Sequence, residues 1–164
     1  MKRLLICTPS YATQGGVERI VQSLARALPR HGYEVIFALA RGSRFHDPAR
    51  FRAELGNVAS VDVDGTSGSA YGRRHALAEV LRDVGPDVVL NARLFDLYPV
   101  LAAEKSTRAD APRFAVTVQA YEAEYLVDLG RWGAFVDVCV TSGNLVADAV
   151  QRFANLPAER VRSL

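Results

Sequence analysis

Cysteine is scarce in this chain, and the places where it occurs exclude a good deal. Among 164 residues there are two, Cys7 and Cys139, each inside an apolar run (Leu4-Leu5-Ile6-Cys7 and Val138-Cys139-Val140). No CxxC motif or nearby histidine accompanies them, so disulfide, zinc and redox pairings are not indicated. Buried, unactivated thiols are expected, a usage that suits a reducing cytoplasm. Uninterrupted apolar stretches are only a few residues long, which leaves no candidate membrane-spanning helix. Met1-Lys2-Arg3 ahead of a four-residue apolar run is too short for a signal peptide. Charge of one sign is lacking too. Twenty Lys and Arg against 18 Asp and Glu give a formal net charge of +2, too little to indicate nucleic-acid binding.

Catalytic signatures are equally thin. There is no GxGxxG after the first apolar run, no GxxxxGK[ST] and no GxSxG. The second apolar run ends Ala38-Leu39-Ala40-Arg41, without an acid to hold a ribose. Metal-ligand spacings are missing. His31, His46 and His75 fall in a helix exit, a loop and a helix start, and are expected to be solvated surface residues.

What is present is a regular alternation of strand-like and helix-like patterns. Residues 4–8 read as a first strand. Val17, Ile20, Val21, Leu24, Ala25 and Leu28 then recur at helical spacing, in a helix ended by Gly32. Residues 34–39 read as a strand, 48–55 as a short helix and 58–63 as a third strand. A Gly/Ser-rich loop over 65–72 leads to a helix with Leu77, Val80, Leu81 and Val84 on its apolar side, stopped by Gly85-Pro86. Residues 87–90 form the fourth strand. The pattern over 94–105 is helical, with Pro99 leaving its start open. Residues 114–118 and 135–140 are the fifth and sixth strands. A last helix, capped by Ser142 or Asn144, is expected to turn Leu145, Val146, Ala149, Val150 and Phe153 inward. Helices between uniformly apolar strands predict an α/β fold: a doubly wound, Rossmann-like parallel sheet with helices on both faces. Residues 161–164 open one more strand, which reads as a piece of a longer protein.

In such sheets the ligand crevice lies beyond the carboxyl ends of the strands. The polar residues predicted there are Ser10 and Gln14 after the first strand, Asn91 and Arg93 after the fourth, Gln119, Tyr121 and Glu122 after the fifth, and Ser142 after the sixth. Gly15-Gly16 opens the first helix. A glycine pair there lets backbone N–H groups approach a phosphate, although a plain entry turn would look the same.

Leu4-Leu5-Ile6, Gly15-Gly16-Val17-Glu18-Arg19, Leu24-Ala25-Arg26-Ala27-Leu28 and His31-Gly32-Tyr33-Glu34-Val35 together resemble the opening of glycosyltransferase family 4. Val138-Cys139-Val140-Thr141-Ser142, followed by a helix and Leu156-Pro157-Ala158-Glu159-Arg160-Val161, resembles the segment that leads out of that family's first domain. The resemblance spans nearly the whole chain. It implies the GT-B architecture, with residues 1–164 as the N-terminal, acceptor-side domain and the donor-binding domain outside this chain. It further implies a retaining transfer of a hexose-type sugar, without bound metal or other cofactor, from a nucleotide-sugar to a glycan, lipid-linked or small-molecule acceptor, as in cell-envelope glycan biosynthesis. Gly16, with Gly15, would face the donor's diphosphate. Members of the family often carry a histidine at the end of the fifth strand, where this chain has Gln119. That residue can hydrogen-bond a sugar but cannot carry a proton, so no catalytic residue is assigned.

Arg41, Arg44, Arg50 and Arg52 crowd one segment. They read as a solvated face, with contact to an anionic acceptor or to anionic lipid at the inner face of a membrane as the alternative. Tyr125 and Trp132 are expected in the core, whereas Tyr121 at the strand's mouth is placed to stack on a sugar. Two other functions stay open: a stand-alone module binding a phosphorylated or nucleotide ligand, and half of a GT-B epimerase.

Overall fold

The computed structural model describes residues 1–10, 15–40, 47–64 and 68–164. In chain order the elements are β1 (Lys2–Pro9), α1 (Gly16–Ala27), β2 (Tyr33–Ala40), α2 (Pro48–Leu55), β3 (Ala59–Val63), α3 (Ala70–Val84) and β4 (Val88–Asn91). There follow α4 (Leu97–Thr107), β5 (Arg113–Val118), α5 (Ala123–Trp132), β6 (Val138–Thr141), α6 (Asn144–Phe153) and β7 (Val161–Ser163). The strands form one sheet in the order β3-β2-β1-β4-β5-β6-β7, and every adjacent pair is parallel. Parallel neighbours need a crossover, and each helix between strands supplies one. The order reverses between β1 and β4.

The predicted doubly wound fold is what forms, with an unequal division of helices. Alternate residues of β1 serve opposite faces. Leu4 and Ile6 join Val21 and Ala25 of α1 and Phe51 and Leu55 of α2 in one core. Leu5 and Cys7 join a larger core built with α3 to α6, including Leu77, Leu101, Leu129 and Val150. Among the described residues, two helices therefore cover one face and four the other. Phe37 and Phe51 meet edge to face at 5.8 Å in the smaller core, and Tyr98 meets Phe114 at 5.5 Å in the larger.

Helix boundaries follow local chemistry. Gly85 adopts φ +56 to close α3, as the glycine-proline stop implied. Pro99 falls in the first turn of α4, where a missing N–H costs no intrahelical bond, so the helix starts at Leu97 rather than Leu94. The end of the chain departs further from expectation. Neither Ser142 nor Asn144 caps α6, because Gly143 holds the N-cap position and the Ser142 hydroxyl donates to the Gln119 carbonyl at 2.9 Å. Leu145 and Phe153 are 86% and 63% exposed. The inward face is Ala147, Val150 and Ala154, at helical spacing, which leaves those two large residues off the core. Tyr125 is buried and Trp132 partly so, as expected of core residues. No described helix is long and apolar enough to cross a membrane.

Candidate functional site

The crevice expected of this topology lies above the carboxyl ends of β1 and β4, where strand order reverses. α1 starts there. Its N-cap is Gly15 and its third residue is Glu18, which is buried at 6% exposure. A Cβ placed on Gly15 would lie 2.6 Å from Glu18 Oε2, so the carboxylate occupies the space that a side chain at Gly15 would need. A glutamate three residues after the N-cap is stabilised by the helix dipole. Gly16 is different. A Cβ there would meet nothing nearer than Gln119 Oε1, at 4.0 Å. The second glycine thus borders open space shared with the end of β5. Glu18 was visible in the sequence, yet nothing in its spacing said that it would compete with an anion for this helix end.

Gln119 carries the sharpest polar signal. Its Nε2 is buried without a hydrogen-bond partner, the one such side-chain atom among the described residues. Leaving a buried donor unmatched costs about 1–3 kcal/mol, a cost that a ligand oxygen would remove. Gln119 also lines the upper end of an apolar groove of about 340 Å³. Ile20, Leu24 and Leu28 of α1 form one wall, and Leu90, Ala115 and Val140 of the sheet form the floor. This is the face with two helices, where no described helix lies over β5 and β6.

Arg93 sits at the exit of β4 under unusual constraint. The Asn91 carboxamide accepts from the Leu94 N–H at 2.8 Å and donates to the Leu94 carbonyl at 3.1 Å. That clamp holds Arg93 between them at φ +68. A left-handed backbone costs a residue with a Cβ roughly 1–2 kcal/mol. The Arg93 guanidinium meets Glu122 Oε2 at 3.3 Å, with the two side chains 40% and 34% exposed. A pair as open as this contributes about 0–1 kcal/mol, which does not offset the strain.

Other predicted site residues divide clearly. Ser10 is fully buried, and its hydroxyl donates to the Ala40 carbonyl at 3.2 Å, tying β1 to β2 instead of facing the crevice. Asn91 is likewise buried, with both ends of its amide engaged by Leu94. Tyr121 is 65% exposed and meets Phe153 edge to face at 6.2 Å. Ser142 is exposed beside Gln119. Gln14 lies outside the described residues, as do Arg41, Arg44 and His46. The remaining arginines of that segment are paired: Arg50 with Glu54 at 3.4 Å, and Arg52 with Asp62 at 2.5 Å. His75 has an acid beside it after all, Glu79 at 3.5 Å, on the exposed side of α3. Burial pushes the Cys139 thiol up to about 12 and raises that of Cys7 further still, so neither is a thiolate nucleophile.

Unanticipated in the sequence was the arginine pair of α3. Arg73 and Arg74 flank Asp96, with Nε–Oδ distances of 2.5 and 3.3 Å, tying the start of α3 to that of α4. Adjacent arginines on a helix show no spacing that would have singled them out.

Comparison with known proteins gives a consistent answer. No curated protein matches the sequence. Among solved structures, Anabaena HepE in complex with UDP and glucose superposes with a TM-score of 0.68 at 14% identity, covering 100% of this chain and 44% of that one. A glycosyltransferase from Rickettsia africae gives 0.67 at 16% identity, covering 99% and 42%. UDP-GlcNAc 2-epimerase from Methanocaldococcus jannaschii gives 0.67 at 12%, covering 98% and 45%. At such identities these likenesses establish the fold alone, and the chain spans less than half the length of each. The sequence profile of Glycosyltransferase Family 4 is more specific and matches residues 14–163. That match covers the glycine pair, the exits of β4 to β6 and the last strand, and the chain belongs to glycosyltransferase family 4.

Proposed function

We propose that this chain is the acceptor-side domain of a retaining glycosyltransferase that moves a sugar from a nucleotide-sugar to an acceptor hydroxyl. The observation that carries this reading is the family match over residues 14–163. The geometry agrees with it. Gly16 leaves open space beside the start of α1, toward the end of β5 where the unmatched Gln119 amide waits for an oxygen. A diphosphate entering there would displace the Glu18 carboxylate from the helix end. In this reading the Gly16 edge faces the donor's diphosphate and Gln119 Nε2 donates to a hydroxyl of the transferred sugar. Gln119 moves no proton, and no metal takes part. Tyr121 and Ser142 border the acceptor's path. The donor-binding domain lies outside the 164 residues, and the enzyme works in the cytoplasm on a glycan, lipid-linked or small-molecule acceptor of envelope type. An epimerase shares the fold, but the family match favours transfer.

Titration of isotope-labelled protein with UDP-glucose, followed by NMR, tests the site. Shifts at the amides of residues 15–18 and at the Gln119 side chain are expected. Shifts confined to other surfaces would overturn the assignment. Product analysis on the whole protein, with acceptor present and omitted, separates transfer from epimerisation.

A further inference from the structure

We infer that Arg93 recognises an oxyanion, phosphate or carboxylate, on a ligand entering the crevice between β1 and β4, and that Glu122 is the partner it exchanges for that oxyanion. The inference rests on reading this sheet edge as the substrate wall, and it assigns a charge to what binds there. Three observations converge. Arg93 leaves β4 beside the point where strand order reverses. The doubly bonded Asn91 amide clamps its backbone at φ +68, a conformation that glycine would adopt without strain. Among the described residues its guanidinium is held by one exposed carboxylate contact at 3.3 Å, too weak to account for keeping an arginine there.

Contrast the other described arginines near this edge. Arg73 is fixed by both Asp96 and the Gly68 carbonyl, a built structural contact. Asn155, the other non-glycine residue with a left-handed backbone among those described, is of a type that tolerates it. Arg93 has neither excuse. A guanidinium offers a planar fork of donors that matches phosphate or carboxylate oxygens two at a time, and the contact to Glu122 engages one nitrogen. An incoming oxyanion therefore gains a better fit than the glutamate has, and the glutamate turns to solvent.

The test is an NMR titration of the 164-residue protein with glucose 6-phosphate, UDP and glucose. Glucose 6-phosphate is expected to shift residues 91–94 and 122, and glucose to leave them unmoved. Arg93→Gln should weaken the phosphate response about tenfold or more, the worth of a charge-assisted hydrogen bond. Glu122→Gln should strengthen it about three- to fivefold, the worth of an exposed pair. In the double variant that gain should vanish, since there is no guanidinium left to release. Arg93→Gly should lose the response while its thermal midpoint holds or rises, a combination that a purely structural arginine would not give. A response to UDP alone that depends on Arg93 identifies the oxyanion as the donor's diphosphate; one to glucose 6-phosphate places it on the acceptor. The inference is overturned if Arg93→Gln leaves every titration unchanged, if the Glu122→Gln gain survives in the double variant, or if Arg93→Gly unfolds the protein. Nucleotide-sugar binding at residues 15–18 that persists in these variants would leave the transferase reading standing. Arg93-dependent phosphate binding without any transfer by the whole protein would sink that reading alone.

Discussion

Gly15 and Gly16 are neighbours with opposite requirements, and the difference is measurable. At Gly16 there is room for a methyl group in the folded chain, because the nearest atom would be Gln119 Oε1 at 4.0 Å. Gly16→Ala should therefore fold with an unchanged or slightly higher thermal midpoint, since alanine restricts the unfolded chain by about 0.4–1 kcal/mol. It should nevertheless lose the UDP-glucose response, as the methyl fills the approach to the helix end. Gly15→Ala should behave differently. Its Cβ falls 2.6 Å from the Glu18 carboxylate, and turning that flexible side chain aside loses a dipole interaction of about 0.3–1 kcal/mol. That loss offsets the gain through the unfolded chain and leaves the thermal midpoint close to the parent's and below that of Gly16→Ala. At Gln119, substitution by alanine in the whole enzyme should lower kcat/KM without removing a basic limb from the pH profile. A vanished limb near neutrality would show that the residue takes part in proton transfer. The glycine pair could be read from sequence, because helix starts are local. The meeting of Gly16 with Gln119 could not, because it depends on which strands become neighbours.

Single elements show where pattern reading succeeds and where it stops. The short α2 falls at 48–55 as read, because Pro48 opens it, Gly56 ends it and the Asp47 carboxylate accepts from the Arg50 N–H. α6 defeats the same logic. Asn144, Asp148, Gln151 and Arg152 mark one polar side, but the apolar arc opposite is broad. Periodicity could not say that Ala147 and Val150 rather than Leu145 and Phe153 would meet the sheet. The amino-terminal ends of β5 and β6 hold a polar joint that no motif announced. Asp137 accepts from Lys105 and from the Phe114 N–H at 2.7 Å, with Arg113 at 3.6 Å. Burial alone would raise the Asp137 carboxyl, but the hydrogen bonds and the neighbouring charges hold it below its usual range. A carboxyl depressed by folding stabilises the protein above its unfolded pKa of about 3.9 and loses that contribution as pH falls through the folded value. Asp137→Ala should thus cost about 1–3 kcal/mol in urea unfolding at pH 7. The gap between variant and parent should narrow below about pH 4. A gap independent of pH would mean that the carboxylate's charge contributes nothing.

For the molecule as a whole, the two cores predict independent folding, while the site predicts incomplete chemistry. Stabilising a departing diphosphate takes preorganised donors in a water-poor cleft. On the proposed reading this chain supplies one wall of that cleft, with Gly16, Gln119 and Arg93 near the carboxyl ends of the strands. Residues 1–164 should bind nucleotide-sugar weakly and show no steady turnover with any acceptor. Micromolar donor affinity by calorimetry, or turnover by this chain alone, would refute the one-wall account. Fold class could be read at this scale because alternating periods of apolar residues dictate layers. The unequal helix count could not, since nothing in a helix's own sequence says which side of the sheet it will take.

That inequality reaches beyond the site. Cys7 lies in β1, between β2 and β4, with helices on both faces of the sheet there. Cys139 lies in β6, which has helix cover on one face and the open groove on the other, next to the three-residue edge strand β7. Both thiols are fully buried and protonated, so each reacts with a disulfide reagent only when its strand opens. Strands anchored on one side separate at lower free energy than those anchored on two. Under native conditions Cys139 should therefore be labelled well before Cys7, and mild urea should accelerate Cys7 more steeply, because its exposure requires opening the whole sheet. The chain thus carries a pair of internal clocks, one timing partial opening of the β5–β7 margin and the other timing global unfolding.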